Sequence, residues 1–596
     1  MNVSPLAGQT DLTTIDVLID GKALASNIDL ISVETRREVN RIGWARIAVS
    51  DGDPSDETFA LSESATFVPG AKVEIRLGYH QNTQTVFKGL IVKHGLRVSE
   101  RGVAQLVLEC AESAVKLTLT RQSAVYLNKT DQAVMQQLIS DAGLSATVDS
   151  TSVSYEELVR YHCCDWDFVL TRAEINGLIA VVDDDKLTIA KPAVSSACGL
   201  VVRYGEALRE LHTDIDARPQ LSQVSANAWD ISTQDALSAN SSAPTLNQQG
   251  NLSGETLAKA LNPGAGRLQS DAPLEQGDLK QWADASLLRM RLARIRGTVA
   301  FQGNALPQPN TTLELAGLGA RFNGDAYIAS VSHQAGDGNW VTEVGFGLPA
   351  RNFAETTPDI APPPAAGQLP ATGGLHIGKV MKIDSDPQNQ TRVQIKLPLF
   401  DADGNGVWAR MGSPYASNQF GVQFMPEIDD EVVVGFVNND PRFPVILGSL
   451  YSSKRPPPTT PDNKNTLKSI VTRSTLKLTF NDEKKILTAS TPGGHQLVMS
   501  DDDKSILIED SHGNQIKLSG DGILISSPKD IKITATGNLE TSSTGKTTLT
   551  ATQDLKASGL NVEASAQIGA KLSGSATAEL SASGQTTVKG ALVMIN

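Results

Sequence analysis

The chain contains few residue patterns that could do catalytic or metal chemistry. TGKTT, Thr544–Thr548, resembles the end of a phosphate-binding loop, but the motif G-x-x-x-x-G-K-[ST] requires glycine at position 540, where the chain has Glu540. DADGNG, Asp401–Gly406, resembles the start of a calcium loop, but its twelfth position is Gly412 rather than glutamate. The first pattern is therefore not a nucleotide loop, and the second is interpreted as a turn between strands.

The other reactive side chains are scattered. His94, His162 and His333 have no serine, cysteine or carboxylate at a spacing that indicates a catalytic pair, so each is interpreted as a core or surface histidine. The acidic triplets Asp183–Asp185 and Asp501–Asp503 lie between strand-like runs and predict solvated turns. We therefore predict no catalytic, cofactor-binding or metal-binding residue and no cofactor, and we expect a protein that is not an enzyme.

The four cysteines are interpreted as reduced packing residues. Cys110, Cys163, Cys164 and Cys198 are too few to staple a chain of 596 residues. The adjacent pair does not match a zinc spacing such as C-x2-C.

Composition excludes several classes of protein. A net charge of −14 with no basic run argues against nucleic acid as a partner, because phosphate binding requires clustered lysine and arginine. No apolar run of about 18 residues is present, so we expect no stable membrane anchor. The N-terminus lacks the basic segment and apolar stretch of a secretory signal, which predicts synthesis in the cytoplasm without a signal peptide.

The last quarter of the sequence is poor in bulky side chains. No Phe, Tyr or Trp follows Phe480, although an aromatic content of 5% predicts about six in such a stretch. Runs such as HQLVMS, KSILIED and NQIKLSGDGILIS nevertheless alternate between apolar and polar residues and are separated by turn residues. The region is therefore predicted to consist of strands that cannot build an ordinary core.

From Ile531 onward a repeat of about eight residues is present. One phase comprises Ile531, Leu539 and Leu555, and a second comprises Leu572, Leu580 and Val588. Such a repeat is one strand and one turn, which buries nothing alone, so we predict an intertwined trimeric triple-stranded β-helix. About 16 strands after Leu467, at ~4.8 Å each, would give a needle on the order of 80 Å long. A single-chain β-solenoid and a disordered tail are the alternatives.

Two Pro-rich segments, Ala361–Gly374 and Lys454–Asn465, predict stiff linkers around a domain of about eighty residues. Its short strands have the spacing of an OB-fold barrel. Trp408 and Tyr415 resemble the binding aromatics of such barrels, but the positive charge is low, which favours a structural collar. The predicted domains are a hub at 1–360, an OB-fold barrel at 375–453 and a trimeric β-helix needle at 466–596.

The hub is predicted to contain two barrel-like subdomains with helical insertions. The predicted helices are Asp131–Ala142 ended by Gly143, a helix with Asp165 as N-cap and Gly177 as stop, and Leu279–Arg296 ended by Gly297. Asp20-Gly21 predicts a hairpin turn. The polar stretch Ser232–Gly266 predicts a loop. The predicted fold class is thus mainly β, with tandem hub β-barrels, an OB-fold barrel and a C-terminal β-helix.

Several sequence blocks carry a family resemblance. The most specific ones lie in Gly378–Ser453: VQIKLPLFDADGNGVWARM and FMPEIDDEVVVGFVNNDPRFPVILGSLY. Others are DWDFVLTRAEINGL, FNGDAYIASVSH followed by Trp340, and the terminal VKGALVMIN. On these residues, and over essentially its whole length, the chain resembles the VgrG-like spike proteins of type VI secretion systems and extracellular contractile injection systems. Through them it resembles the fused hub and spike of contractile phage tails.

The resemblance implies a homotrimeric central spike. Two similar barrels per chain would form a ring of pseudo-sixfold symmetry that binds a hexameric tube protein within a baseplate hub, while the other end tapers into a piercing needle. A PAAR-type tip protein would cap a platform formed by Val593, Met594, Ile595 and Asn596. Cargo effectors are further implied partners. The spike would be assembled in the bacterial cytoplasm and delivered outside the cell as part of an injection particle.

An alternative function is a cell-wall-degrading or glycan-binding spike of a phage-like tail, with the OB-fold barrel as the binding module. The sequence shows neither a lysozyme-like insert between barrel and needle nor an effector domain after Asn596, and it shows no His-x-His pair near its end. These departures favour the structural and piercing role. Type VI systems, extracellular particles and phage tails use similar spikes, so the sequence leaves the class of machine open.

Overall fold

The computed structural model describes residues 2–8, 10–100, 103–400 and 402–595 of the chain. It divides into two compact units, Met1–Leu450 and Tyr451–Asn596. Strands outnumber helices in both the hub and the barrel, and the predicted mainly β class is confirmed. Among the described residues, no helix combines the length and the apolar character needed to cross a bilayer.

The first hub subdomain is built from strands whose alternate side chains point into one core. Val17, Val33, Ile47 and Ile75 are among the buried residues of this core. The predicted Asp20-Gly21 turn is confirmed, since both residues have positive φ and join the first two strands. Its strands are β1 Thr13–Ile19, β2 Lys22–Ala23, β3 Leu30–Glu38, β4 Trp44–Ser50, β5 Lys72–Tyr79, β6 Asn82–Arg97 and β7 Gln105–Ala111.

A helical insertion follows, with its own core around two helices. Its elements are β8 Arg121–Thr130, α1 Asp131–Asp141, β9 Ser145–Val148, β10 Ser154–Cys164, α2 Asp165–Ile175, β11 Ile179–Asp183 and β12 Lys186–Ala190. Both predicted helices are confirmed, and Gly143 and Gly177 end them with positive φ. The predicted N-cap is wrong by one residue, because the Cys164 thiol, not Asp165, accepts the Asp167 N–H.

The second hub subdomain completes the same sheet. Its elements are β13 Ala197–Arg203, β14 Leu208–Ile215, β15 Val224–Asp230, β16 Asp235–Asn240, α3 Gly254–Leu261, β17 Gly266–Ser270, α4 Gln276–Leu292, β18 Ile295–Gln302, β19 Thr312–Ala316, β20 Gly324–Gly336, β21 Asn339–Phe346 and the short α5 Phe353–Thr356. The strands β3 and β20 pair from Ser330 opposite Glu38 to Gly336 opposite Ser32. The tandem arrangement is therefore two cores served by one 13-stranded sheet.

Two predictions for this region are wrong. The helix predicted at Leu279–Arg296 lies at Gln276–Leu292, because Gly297 is not a helix stop but a residue of β18. A side chain at Gly297 would meet the His212 carbonyl oxygen of the neighbouring strand. The loop predicted at Ser232–Gly266 instead contains β16 and α3, which is capped by the Ser253 hydroxyl.

The barrel is a small closed sheet, and the predicted OB-fold is confirmed. Its strand order is β22-β23-β24-β28-β27, around a core that includes Val380, Ile395, Val434 and Ile446. A separate hairpin, β25 and β26, projects from it. The strands are β22 His376–Lys382, β23 Val393–Lys396, β24 Val407–Met411, β25 Ala416–Ser417, β26 Phe420–Gly421, β27 Glu431–Phe436 and β28 Pro444–Ser449.

The second unit contains one seven-stranded antiparallel meander. Its strands are β29 Leu467–Val471, β30 Lys477–Asn481, β31 Ile486–Ser490, β32 Gln496–Ser500, β33 Ser505–Glu509, β34 Gln515–Ser519 and β35 Gly522–Ser526. A single chain forms seven of the about 16 strands expected after Leu467 in a trimeric needle, and the larger number stays a prediction. A strand exists only where backbone groups pair, and the described residues after Ser526 form no strand, helix or backbone–backbone hydrogen bond with one another.

Candidate functional site

The seven-stranded sheet carries an open apolar groove of about 920 Å³ on one face. Side chains directly opposite one another on successive strands form an unbroken row along this groove. The row comprises Ile470, Leu478, Ala489, Leu497, Ile508, Ile516 and Ile525. At ~4.8 Å per strand the row is roughly 30 Å long.

A second row lies two residues away on the same face, because alternate side chains of a strand share a face. It comprises Phe480, Leu487, Met499, Ile506, Leu518 and Ile523. The opposite face is mostly polar, with Thr479, Thr488, Ser505 and Lys517, although Val498, Leu507 and Leu524 also lie on it. We call the two rows together the apolar face. The sheet is thus amphipathic.

The apolar face is open to solvent within one chain. Leu497, Ile508, Ile516 and Ile525 are 40%, 48%, 39% and 56% exposed, and Ile523 is 72% exposed. An exposed, contiguous apolar surface of this kind marks a site of association. A sheet with one apolar face buries that face against another element in stable folds. The face can therefore bind another apolar surface, and this is the interaction its chemistry supports.

The segment after Ser526, residues 527–595, also exposes apolar side chains but forms no sheet. We call it the repeat segment. The apolar residues of its eight-residue repeat are all exposed: Ile531, Leu539, Leu555, Leu572, Leu580 and Val588. Leu560 and Ile568 are fully exposed. Its described residues make a few side-chain contacts, such as that between Ser527 and Asn514, but no ladder of backbone hydrogen bonds.

The predicted tip platform lies at the end of the repeat segment. Val593, Met594 and Ile595 are exposed, and Asn596 lies outside the described residues. Thr544–Thr548 also lie in the repeat segment, which has none of the strand–loop–helix structure of a nucleotide site. Asp401 of the calcium-like pattern lies outside the described residues.

The histidines divide between core and surface. His333 is buried, where its Nδ1 accepts from the Trp340 Nε1–H at 3.3 Å and burial lowers its pKa to about 3. His94 Nε2 lies 2.7 Å from the Ser62 hydroxyl, and its Nδ1 lies 2.8 Å from the Phe67 carbonyl oxygen. Sequence reasoning missed this serine, because 32 residues separate the pair. His162 is exposed at the end of β10.

The acidic triplets lie at hairpin turns, as predicted. Asp183–Asp185 join β11 to β12, and Asp501–Asp503 join β32 to β33. The Asp183 carboxylate accepts from the Arg37 guanidinium at 2.9 Å, and that of Asp503 accepts from the Ser500 hydroxyl at 2.9 Å. The four cysteines are free, and Cys110, Cys163 and Cys164 are buried. Within the described ranges, no group of three or more His, Cys, Asp or Glu side chains is placed to hold a metal ion.

Two buried carboxylates join parts of the hub. Glu112 accepts from the Gly43 N–H at 2.7 Å and pairs with Arg37 at 3.1 Å; burial raises its pKa to about 7 although Arg37 acts in the opposite direction. Glu174 of α2 accepts from the Asn40 side chain at 2.7 Å and pairs with Arg289 of α4. Both carboxylates therefore form hydrogen bonds and ion pairs that hold the hub together.

The barrel has an exposed aromatic groove of about 780 Å³. Tyr415 and Phe420 have ring centroids 5.8 Å apart, and Phe424 lies beside them. Trp408, which the sequence analysis compared with the binding aromatics of such barrels, has its ring centroid 6.0 Å from the Arg392 guanidinium in a cation–π contact.

Two family models match the chain. One is described as the Alg8 N-terminal domain and matches residues 9–337. The other is described as the type VI secretion system/phage-baseplate injector OB domain and matches residues 376–451.

Several curated relatives are described as VgrG proteins. The chain is similar to the type VI secretion system spike protein VgrG1c of Pseudomonas aeruginosa, with 21% identity over 469 residues, covering 72% of this chain and 61% of that protein. It is also similar to the actin cross-linking toxin VgrG1 of Vibrio cholerae, with 38% identity over 79 residues, covering 12% of this chain and 7% of that protein. The chain thus spans less than two thirds of the length of either relative.

Similar solved structures are more distant. The 43 kDa tail protein of prophage MuSo2 from Shewanella oneidensis is 11% identical with a TM-score of 0.43, covering 57% of this chain and 99% of that one. A chain of the Francisella PdpA-VgrG complex is 10% identical with a TM-score of 0.37, covering 87% of this chain and 81% of that one. At these TM-scores the structures carry no argument about function, which rests on the sequence matches and on the geometry above.

Proposed function

Because the chain belongs to the Alg8 N-terminal domain family and is a VgrG-like spike protein, we propose that it forms the homotrimeric central spike of a bacterial contractile injection system. The single observation that carries this proposal is the second unit, in which an apolar face and a repeat segment are left uncovered in one chain.

Three copies of the chain around one axis would cover both the apolar face and the repeat segment. Three apolar faces turned toward a common axis cover one another, and burying apolar surface stabilises by about 25 cal/mol per Å². In the repeat segment, strands from neighbouring chains supply the backbone partners that one chain lacks. Small side chains fit such a narrow axis, which accounts for the lack of aromatic residues after Phe480. The needle is therefore a stiff element that pierces by its shape and has no catalytic role in this proposal.

The proposed division of labour follows the predicted domains: a hub at 1–360, a barrel at 375–453 and a needle at 466–596. In each hub one large sheet serves two of the cores, so three chains would present six such subdomains. A ring of six matches a hexameric tube protein, while the needle keeps threefold symmetry. The hub is therefore an adaptor between tube and needle, held among baseplate and hub proteins.

The remaining proposed partners are a tip protein at the end of the needle and effectors that are delivered with the spike. A PAAR-type tip protein binds the platform at Val593, Met594, Ile595 and Asn596, of which the first three have exposed apolar side chains. Cargo effectors travel with the spike. The particle carries the chain outside the cell. That the spike itself is not an enzyme stays a prediction.

Native mass spectrometry of the purified full-length chain tests the proposal. We expect a mass of three chains that persists on dilution to nanomolar concentration. The same sample, mixed with the system's tube protein, should form complexes with three copies of the chain and six of the tube protein. A monomer or a dimer with an ordered second unit would overturn the proposal.

A glycan-binding spike is a second candidate, and the exposed aromatic groove of the barrel favours it. Aromatic faces such as those of Tyr415 and Phe420 are suited to stacking on apolar ligand surfaces, and OB-fold barrels bind oligosaccharides in other proteins. Incubation of the purified chain with isolated peptidoglycan separates the candidates. Sedimentation of the chain with the wall, or release of soluble fragments, would favour the second candidate; neither is expected for the first.

A further inference from the structure

The segment that follows the hub is docked onto its surroundings. The sequence predicts a stiff linker at Ala361–Gly374, but the structure anchors the stretch from Phe353 to Thr372 to both the hub and the barrel, which lie in one compact unit. We call this stretch the strap. We propose that the strap fixes the barrel on the hub, so that the two move as one rigid body.

The first anchor is buried in the hub. Glu174, a 5% exposed residue of α2, accepts a hydrogen bond from the Phe353 N–H at 2.5 Å. The same carboxylate is held by Asn40 and Arg289, so its position is fixed from three sides. The Phe353 ring packs against the core of the helical insertion. The start of the strap is thus part of the folded hub.

The second anchor is an arginine of β8. The Arg121 guanidinium donates to the carbonyl oxygens of Asp359 and Ile360, the latter at 3.3 Å. Hydrogen bonds from a charged donor are about twice as strong as neutral ones. The planar guanidinium reaches two successive carbonyls, which a single lysine ammonium would not reproduce. This contact fixes the middle of the strap to the hub.

The far end of the strap is fixed to the barrel. The Thr372 N–H donates to the Asn439 carbonyl oxygen at 2.8 Å. Arg442 donates to the Gln368 side chain at 2.9 Å, while its guanidinium is also held by Asp440 at 2.7 Å. Both barrel partners lie in the turn between β27 and β28. The strap therefore bridges two folded bodies.

The backbone between these anchors has a conformation that requires contacts with its surroundings. Ala365 and Ala366 have φ of +53° and +52°, a left-handed conformation that is unfavourable for alanine and persists where the surroundings impose it. Ala365 is 1% exposed. The prolines of the strap have little freedom to lose on docking. A free linker would show neither the strain nor the burial.

Rigid coupling has a purpose that rests on the proposed function: a spike that is driven forward by the tube bound to its hub must not bend between hub and barrel. The coupling itself is a property of one chain, whatever its oligomeric state. A measurement within one chain therefore tests it separately from the proposed spike function.

Distances between spin labels test the coupling. Labels are placed at Lys259→Cys on α3 and Ser449→Cys on β28, in a full-length Cys198→Ser background, and labelled chains are diluted tenfold or more with unlabelled ones so that only intrachain pairs contribute. We expect one narrow distance distribution. The variant Arg121→Ala with Ala365→Asp should broaden the distribution at least about twofold, since it removes one anchor and buries a charge under the strap. Arg218→Ala, an exposed arginine paired with Asp216 and not with the strap, is the matched control.

Hydrogen exchange supplies the second readout. The Thr372 amide should exchange at least about tenfold faster in the double variant, because its bond to Asn439 opens when the strap undocks. The Val434 amide in the barrel core should not change, which shows that the barrel stays folded. An unchanged distance distribution together with an unchanged Thr372 exchange rate would overturn the proposal. If the Val434 amide loses its protection, the double variant has unfolded the barrel. The distance distribution and the Thr372 exchange rate are then measured in Arg121→Ala alone, and these two measurements test the proposal.

Discussion

The hub and the second unit use the same β-strand alternation with opposite outcomes. In the hub, Trp340 and Tyr327 are 2% and 1% exposed, and alternate strand residues are sealed in cores within one chain. In the second unit, the same alternation produces an apolar face that solvent reaches, followed by a repeat segment whose described residues form no ladder. Alternation thus determines which side of a strand is apolar, but the presence of bulky residues and covering layers determines whether one chain can bury that side.

Charge introduced into the repeat segment is the strongest test of this contrast. Leu572→Asp should abolish the trimer, because three carboxylates would meet in a narrow apolar axis. Lys571→Asp is the matched control, since neighbouring residues of a strand point to opposite faces, and it should leave three chains assembled. Native mass spectrometry reads both variants. A trimer that survives Leu572→Asp would break the comparison.

In the hub, the corresponding test is the buried carboxylate of Glu174. Glu174→Ala leaves Arg289 without its carboxylate partner in the interior, so we expect the free energy of unfolding of the hub to fall by about 3 to 5 kcal/mol. Urea denaturation followed by tryptophan fluorescence measures this loss, because every tryptophan lies before the second unit. The number of chains per particle should not change, since the needle is independent of this contact.

Matched truncations sharpen the comparison further. Ile47→Ala in the hub core should cost about 2 to 5 kcal/mol at every protein concentration. Ile516→Ala on the apolar face removes a side chain that is 39% exposed in one chain, so its cost should be small for the dissociated chain and should rise toward the hub value in the assembly. Thermal unfolding at two widely separated protein concentrations distinguishes these cases. Equal costs at both concentrations for Ile516→Ala would contradict the account.

A pH dependence confined to the hub is expected to be small per pH unit. Burial lowers the pKa of His333 from 6.5 to about 3. Between these two pH values the His333 imidazole is therefore protonated in the unfolded chain but neutral in the folded hub. Hub stability should therefore fall by about 1.4 kcal/mol per pH unit from pH 6.5 toward 3 because of this residue. His333→Gln should flatten that part of the profile measured by urea denaturation. An unchanged slope would show that His333 is protonated in the folded hub.

Local signals predicted much of the hub. The Asp20-Gly21 hairpin and the helix stops at Gly143 and Gly177 follow from residues that adopt positive φ. The OB-fold barrel followed from short strands bounded by Pro-rich segments. Pairing between distant strands, such as β3 with β20, has no local signal because cross-strand contacts depend on the folded chain.

The errors have physical reasons. Gly297 resembles a helix stop, but it lies in a strand where a close neighbouring backbone requires the missing side chain. The eight residues of α3 are too short for a clear period, although Ser253 caps them. In the second unit, β30, β32 and β34 begin at Lys477, Gln496 and Gln515, a 19-residue period that is less conspicuous in the sequence than the shorter repeat after Ile531.

The candidate site was only partly predictable. The sequence indicated strands without bulk and a threefold needle, but it did not reveal that the meander up to Ser526 pairs within one chain. The part of the strap from Ala361 onward was predicted as a free linker, because its contact between Gln368 and Arg442 of the barrel spans 74 residues and leaves no local signal. The end at Val593, Met594 and Ile595 stays a predicted platform.

Electron cryo-microscopy of the purified full-length chain tests the central claim most directly. The account predicts threefold density in which residues 527–595 of three chains wind about one axis and hydrogen-bond to one another. Particles of a single chain with that stretch well ordered would contradict it.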